Sequence, residues 1–220
     1  MTKLIIFGPT GKTGLSLVRG ALENAENQVS VYVRRPERLP EELKSKVNCI
    51  VGDVLDDKLV AEALKGQDVA LSSLGTGSSL GKTTVMSDGV KNIVKGMKEH
   101  SVSKLVVCGV SFLLPERNRG PIWFLKNVTA DHERMLDYLK EETGIKWVAV
   151  MPPKIIDHPP TGTYKTAVGK LNGSEKAACG DIADCMLSYA CDDVKMSEHN
   201  GKLIGISSFL SIPFWKLWSR

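Results

Sequence analysis

The sequence alternates short runs of apolar, β-branched residues with longer segments in which apolar residues recur every three or four positions. The short runs are typical of strands and the longer segments of amphipathic helices. In chain order they read LIIF, TGLSLVRGALENA, VSVYVRR, VNCIVGD, KLVAEALKG, DVALSSLG, TTVMSDGVKNIVKGMKEH, KLVVCGV, TADHERMLDYLKEE and WVAVMPP. Strand and helix are therefore predicted to alternate as far as Pro153.

Several of the predicted strands are apolar or small at nearly every position, as in LIIF and KLVVCGV. Such strands are expected where helices cover both faces of a parallel sheet. The pattern predicts an α/β fold, a Rossmann-like doubly wound parallel sheet with helices on both faces. We expect one NAD(P)-binding domain over residues 1–206, because no linker-like stretch interrupts the alternation.

After the sixth predicted strand the composition changes. The stretch PPKIIDHPPTGTY is dense in proline and glycine, and it precedes one predicted helix, Asp181 to Tyr189, and one short strand, Lys202 to Ile206. We expect residues 152–206 to form a substrate-side subregion of the same domain. Residues 207–220 form an aromatic tail, which we expect to fold back on the body or to pair two subunits; a weak membrane-surface contact is the alternative.

Composition narrows the classes of function. The net charge of +4 is modest, and the cations form no stripe with stacking aromatics, so we expect no nucleic-acid partner. No apolar window is long enough for a membrane span, and no signal-peptide pattern opens the chain, so we expect a cytoplasmic protein. Five cysteines without a C-x-x-C pair suggest neither a disulfide framework nor a metal site. We expect a monomer, with a tail-mediated dimer as the alternative.

Three glycines, Gly8, Gly11 and Gly14, follow the first predicted strand in a G-x-x-G-x-x-G pattern. Gly8 would permit a tight turn, Gly11 would let backbone N–H groups approach a pyrophosphate, and Gly14 would let the helix pack closely on the sheet. A plain strand–turn–helix connection is the alternative, since glycines alone are a weak signal.

The end of the second predicted strand strengthens the dinucleotide interpretation. Arg34, Arg35 and Arg38 lie where NAD-preferring proteins carry an acid for the ribose hydroxyls. Arginines at this place suit a 2′-phosphate, which predicts NADPH as the cofactor. A solvated basic loop is the alternative. After the third strand, Asp53 could accept a hydrogen bond from an adenine amino group or cap the following helix; both alternatives stay open here.

The order and spacing of several stretches match those of one known family. In chain order these stretches are IFGPTGKTG, CIVGDVL, LGTGSSL with TTVMSDGVKNIV, VVCGVSFLL, TADHERML and WVAVMPP. Together they resemble the NADPH-dependent flavin reductases, also called biliverdin-IXβ reductases, of the atypical, NmrA-like short-chain dehydrogenases. The resemblance extends to TGTY at residues 161–164. It implies NADPH as hydride donor and a flavin or linear tetrapyrrole as substrate, not as prosthetic group, in a shallow apolar pocket.

The resemblance also implies a set of site residues. The cofactor-binding residues would be Gly8, Thr10, Gly11, Thr13, Gly14, Arg34, Arg35, Arg38, Asp53, Val54, Leu74, Gly75, Thr76 and Pro152. The substrate-binding residues would be Val110, Phe112, Pro153 and Lys154, and the candidate catalytic residues Ser111 and His132. No metal ligand is expected.

The sequence departs from the family at the candidate catalytic positions. The family serine corresponds to Val110, and Ser111 follows one residue later, where a continuing strand would turn it to the opposite face. Lys154 replaces a histidine that often follows MPP in the family. For His132, near a predicted helix start, a structural or solvent-facing role is the alternative to a general acid.

None of the four tyrosines is followed four residues later by a lysine. Alcohol–ketone chemistry through a Tyr-x-x-x-Lys pair is therefore not expected. Flavin reduction needs mainly geometry, since water can supply the proton. We expect flavin as the acceptor and biliverdin as a possible second one. A redox-sensing NADP(H)-binding protein without turnover, as among NmrA-like relatives, is the alternative function.

Overall fold

A computed structural model describes residues 1–117, 120 and 122–209 of the chain. Its strands are β1 Lys3–Phe7, β2 Gln28–Val33, β3 Asn48–Val51, β4 Val69–Ser72, β5 Lys104–Cys108, β6 Lys146–Met151, β7 Lys154–Ile156, β8 Tyr164–Val168, β9 Lys176–Ala178 and β10 Lys202–Ser208. Its helices are α1 Lys12–Glu23, α2 Glu41–Lys44, α3 Asp57–Leu64, α4 Val85–Glu99, α5 Lys126–Glu141, α6 Cys179–Cys191 and α7 Asp193–Glu198.

Eight of the described strands form one sheet in the order β3-β2-β1-β4-β5-β6-β10-β8. All neighbours in this sheet pair in parallel except β8, which runs antiparallel to β10 at one edge. Strands β7 and β9 form a separate parallel pair. The predicted α/β fold with a Rossmann-like parallel sheet is confirmed.

Both faces of the sheet are covered, which explains the continuous apolar strands. In β1, Leu4 and Ile6 pack on the side of α1, α2, α6 and α7, whereas Ile5 and Phe7 pack on the side of α3, α4 and α5. All four of these side chains are fully buried. A strand placed between two helical layers needs no polar face, so its sequence reads as one apolar run.

The substrate-side subregion contains more strands than the sequence suggested, because β7, β8 and β9 lie in its proline- and glycine-rich part. A fully buried carboxylate holds this part together. Asp181 accepts hydrogen bonds from the amide and hydroxyl of Thr161 at 2.6 and 2.7 Å and from the Ser208 hydroxyl at 2.5 Å. Strand β10 continues to Ser208, two residues beyond its expected end; residues 210–220 of the expected tail lie outside the described residues.

Because β1, β2, β4, β5 and β6 are parallel, the segments that follow them meet at one edge of the sheet, called here the carboxyl edge. Open α/β sheets bind their ligands outside this edge. The glycine turn, the arginines and the segments after β4, β5 and β6 all lie there.

Candidate functional site

A cleft of about 440 Å³ opens at the carboxyl edge, between the ends of β1, β2 and β4. It brings together ten of the predicted cofactor-binding residues, namely Gly8, Thr10, Gly11, Arg34, Arg35, Arg38, Val54, Leu74, Gly75 and Thr76. Four others, Thr13, Gly14, Asp53 and Pro152, do not line it. Most of the residues that the sequence predicted to bind the cofactor thus surround one cleft.

The three glycines have different structural roles. Gly8 has φ +78°, and a Cβ there would lie 2.6 Å from the Ser73 carbonyl oxygen. A Cβ on Gly14 would overlap the Gly8 carbonyl, so its absence lets α1 approach the end of β1. At Gly11, by contrast, a Cβ would meet only the Gly8 carbonyl oxygen, at an unstrained 3.8 Å. Packing therefore requires glycine at 8 and 14 and leaves room for a side chain at 11.

Gly11 is also the N-cap residue of α1, and no side chain caps this helix. The first N–H groups of a helix have no partner within the helix, and the helix dipole favours negative charge beside them. An uncapped N-terminus behind a glycine on the wall of the cleft suits an anion such as a pyrophosphate.

The three arginines follow β2 on the wall of the same cleft, and all three are exposed. One guanidinium nitrogen of Arg34 lies 3.6 Å from the Asp53 carboxylate. Both side chains of this pair are about half exposed, so the pair contributes little stability and leaves the guanidinium available. In the described part of the chain, Arg35 and Arg38 form no ion pair.

The structure decides one of the alternatives for Asp53. The N-cap of α3 is Asp56, whose carboxylate accepts from the Leu59 amide at 3.1 Å. Asp53 instead accepts from the Leu55 amide at 3.0 Å, within its own turn. The capping alternative for Asp53 is therefore wrong, and its place at the rim beside Arg34 keeps the adenine interpretation as a prediction.

Sequence reasoning missed Tyr32, which lines the cleft from within β2. Its hydroxyl donates to the Asp53 carbonyl oxygen at 3.1 Å, and Gly52 makes room for it, since a Cβ there would overlap the tyrosine oxygen. Burial raises the pKa of Tyr32 to about 12, with a smaller contribution from Asp56. Gly52, the glycine after β3, was the one sequence feature that could have indicated a close neighbour. Nothing in VSVYVRR relates this glycine to Tyr32.

Ser111 does not lie in a strand. Strand β5 ends at Cys108, and Ser111 begins a 3₁₀ turn, Ser111–Leu113. The expectation that strand alternation decides its direction is wrong for this reason. Its side chain is buried, its amide donates to the Pro152 carbonyl at 2.9 Å, and its hydroxyl accepts from Arg117 at 2.8 Å.

Arg117 is a second residue that sequence reasoning missed. Besides Ser111, its guanidinium contacts the Glu175 carboxylate at 2.8 Å and lies 4.7 Å from the centre of the Phe112 ring. It thereby ties the segment after β5 to the residue before β9. Because Arg117 and Glu175 are 58 residues apart in sequence, no local pattern could have indicated the contact between them.

His132 is a buried residue of α5, and its Nδ1 has no hydrogen-bond partner in the described structure. Burial lowers its pKa from 6.5 to about 4, although the neighbouring Asp131 acts in the opposite direction. A neutral imidazole has no dissociable proton to give near pH 7. The role of His132 as a general acid stays a prediction, and its burial favours the structural alternative.

The remaining predicted substrate residues lie after β5 and β6. Val110 precedes the 3₁₀ turn. Phe112 lies within the turn, and the Arg117 guanidinium lies over its ring in a cation–π contact. Pro153 follows β6, and Lys154 begins β7 as an exposed residue whose amide donates to the Glu175 carbonyl at 3.3 Å. They share the carboxyl edge with the cleft but do not line it.

Among residues 1–117, 120 and 122–209, no group of three His, Cys, Asp or Glu side chains is placed to hold a metal ion. In the same part of the chain, no helix combines the length and the apolar character of a membrane span. All five cysteines are free thiols.

A family model described as NAD(P)H-binding matches residues 8–193, from the glycine turn into α7. The chain belongs to this NAD(P)H-binding family. The match includes both the cleft and the residues after β5 and β6, so a nicotinamide dinucleotide is the ligand class of the family.

Solved structures confirm the fold of this NAD(P)H-binding protein. An oxidoreductase from Lactococcus lactis superposes with a TM-score of 0.76 at 23% identity, over 94% of this chain and 91% of that one. A candidate NADH-flavin reductase from Streptococcus pneumoniae gives 0.76 at 19% identity, over 95% and 100%. A short-chain dehydrogenase/reductase from Veillonella parvula, solved with NADP, gives 0.70 at 14% identity, over 94% of each chain.

Within the NAD(P)H-binding fold, the cleft fits the expected ligand on three counts. It offers an open backbone at Gly11 for a pyrophosphate, three exposed guanidinium groups for a further phosphate, and apolar Val54 and Leu74 along its wall. The individual roles of these residues remain predictions.

Proposed function

We propose that the protein is an NADPH-dependent reductase that passes hydride to a free flavin, with biliverdin as a second, poorer acceptor. The observation that carries this proposal is the pairing, in one cleft, of an open glycine at the uncapped start of α1 with three exposed arginines after β2. That combination suits a dinucleotide with a 2′-phosphate better than one with free ribose hydroxyls.

In this proposal, different residues of the chain bind different parts of the cofactor. The turn from Gly8 to Gly14, with Thr10 and Thr13, holds the pyrophosphate through backbone N–H groups, and Arg34, Arg35 and Arg38 hold the 2′-phosphate. Asp53 and Val54 bind the adenine. Leu74, Gly75 and Thr76 border the middle of the cofactor, and Pro152 borders the nicotinamide end. The bound reduced nicotinamide supplies the hydride.

The polar groups near the site support an acceptor that needs no proton from the protein. The Tyr32 hydroxyl has its proton engaged with a carbonyl and its pKa raised to about 12, and His132 is buried and neutral. The Ser111 hydroxyl accepts from Arg117. Flavin fits such a site because hydride adds to N5 and water protonates N1, so the chain supplies position rather than acid catalysis.

The same arrangement supports the second candidate, a redox-sensing NADP(H)-binding protein without turnover. A sensor needs the cleft and no proton donor, and here His132 is buried with an unpartnered Nδ1, while the Ser111 side chain is buried against Arg117. The two functions differ in one consequence, which is whether bound NADPH is consumed.

The test is NADPH oxidation, followed by nicotinamide absorbance, with and without added FMN. We expect rapid FMN-dependent oxidation of NADPH, slower oxidation of NADH, and none without acceptor. A protein that binds NADPH tightly but leaves it unoxidised with FMN, riboflavin and biliverdin would instead be a sensor. The same mixture of NADPH and FMN without the protein controls for direct chemical reduction of the flavin.

We also infer a cytoplasmic, monomeric protein. Five free thiols, among them the exposed Cys191, support a reducing compartment. Size-exclusion chromatography with light scattering tests the monomer. A tail-mediated dimer would instead change to a monomer when residues 210–220 are deleted.

A further inference from the structure

Four large apolar side chains are exposed in the segments that precede α4 and α5: Leu80, Ile122, Trp123 and Phe124, called here the aromatic patch. Trp123 is 84% exposed, and the others are between 41% and 49% exposed. Trp123 and Phe124 pack edge to face, with ring centres 5.7 Å apart, and most of the Trp123 side chain remains exposed. A concentrated exposed apolar group of this kind usually marks a binding surface.

The aromatic patch lies at the same edge of the sheet as the cleft. Its aromatic residues form a 3₁₀ turn, Trp123–Leu125, just before α5, and α5 begins at the carboxyl edge because the chain after it enters β6 from the opposite edge. The Asn127 side-chain amide donates to the Leu80 carbonyl at 3.0 Å. Leu80 directly follows Ser78 and Ser79, which line the cleft.

Two cations flank the aromatic patch in the chain. Lys82 lies two residues after Leu80, and Lys126 begins α5 two residues after Phe124; both are exposed. Within the described residues, neither forms an ion pair with a carboxylate, unlike Lys12 or Lys95. An apolar, aromatic surface with unpaired cations at its rim suits a ligand that is flat and apolar in one part and anionic in another.

We propose that the aromatic patch binds the acceptor of the reaction, with the ring system stacked on Trp123 and an anionic substituent near Lys82 and Lys126. This inference rests on the proposed function and narrows its substrate class to planar acceptors that carry a phosphate or carboxylate. FMN has both parts, whereas riboflavin has the same ring without the phosphate. The patch thus acts in specificity and not in proton transfer.

The experiment measures dissociation constants of FMN and riboflavin by calorimetry with the NADP⁺-loaded protein, together with steady-state kinetics. Loss of aromatic stacking in Trp123→Ala should weaken both flavins about tenfold, because stacking on an aromatic side chain contributes on this scale. Trp123→Phe should retain affinity within about threefold of the unmodified protein, since a stacking face remains. The affinity for NADPH should not change.

The double substitution Lys82→Ala/Lys126→Ala separates charge from stacking. It should weaken FMN about fivefold and leave riboflavin unchanged, and the loss should disappear at high salt. Val194→Ala is the matched control, since Val194 is a 67% exposed apolar residue in α7, away from the carboxyl edge. This control should bind both flavins normally.

The outcomes distinguish this inference from the proposed function. FMN-dependent turnover with unchanged flavin affinity in Trp123→Ala would overturn the acceptor site and leave the reductase standing. If Trp123→Ala changed only the oligomeric state, the aromatic patch would be a contact between copies of the chain. That result would also overturn the acceptor site. No flavin binding and no turnover in the unmodified protein would refute both.

Discussion

The two halves of the carboxyl edge are built in different ways. On the cofactor side, the glycine turn and the arginines are short contiguous segments, and the cleft takes its shape from backbone that follows β1, β2 and β4. On the side of the proposed acceptor, the segment after β5 is held by contacts between distant residues, such as Arg117 with Glu175. Farther along that side, Asp181 holds Thr161 and Ser208. The first half depends on local backbone geometry, and the second on side chains that meet only in the folded chain.

The largest expected effect is a loss of stability on substitution of Gly14, compared with a small one on substitution of Gly11. Gly14→Val should prevent folding or lower the free energy of unfolding by more than about 3 kcal/mol, because its side chain overlaps the Gly8 carbonyl. Gly11→Val should cost about 1 kcal/mol or less, since its Cβ has room and only the N-cap preference changes. Thermal and urea unfolding measure both.

The same pair tests where the cofactor binds. Gly11→Val should lose at least about tenfold in NADPH affinity while remaining folded, because a branched side chain then occupies the phosphate position. A folded Gly11→Val protein with normal NADPH affinity would contradict the assignment and would leave the glycines with a purely structural role.

A second prediction concerns the buried imidazole of α5. With a folded-state pKa of about 4 against 6.5 in the unfolded chain, His132 binds fewer protons when folded between these pH values. Its contribution to stability is therefore complete above pH 6.5 and is lost as the pH falls towards 4, by about 3 kcal/mol in total. His132→Leu should remove this part of the acid destabilisation, as measured by urea unfolding at several pH values.

The activity of the same variant checks the structural role. FMN reduction by His132→Leu should keep the pH profile of the unmodified protein between pH 6 and 8. Loss of an ionisation near neutrality in the variant's rate profile would mean that His132 takes part in proton transfer after all.

The smallest expected effects concern Val110 and Ser111. Biliverdin reduction benefits from protonation of a pyrrole nitrogen as hydride arrives, so Val110→Ser should raise biliverdin turnover and leave FMN turnover nearly unchanged. Ser111→Ala should be nearly silent for both acceptors and cost about 1 kcal/mol of stability, because it removes the acceptor of the Arg117 hydrogen bond. Efficient biliverdin reduction that Ser111→Ala abolishes would show that Ser111 donates the proton.

This difference between the two halves also explains what the sequence could predict. The apolar runs and the glycine spacing report on local geometry, so strands β1 to β6 and the wall of the cleft follow from them. The end of β5 at Cys108 does not, because the only strand-weakening residue of VVCGVSFLL before Ser111 is Gly109, and an isolated glycine also occurs within strands. The environment of His132 and the partners of Arg117 likewise arise from tertiary packing, for which a single sequence contains no periodic signal.

Direct binding of NADPH and NADH, measured by calorimetry, tests the central claim that the cleft holds a 2′-phosphorylated dinucleotide. NADPH should bind at least about tenfold more tightly than NADH, through charge-assisted contacts to the 2′-phosphate. Arg34→Ala/Arg38→Ala should erase this preference by weakening NADPH alone, whereas Arg19→Ala, an exposed arginine of α1 paired with Glu42, should retain it. Equal affinities of the unmodified protein for NADPH and NADH would contradict a 2′-phosphate site in the cleft.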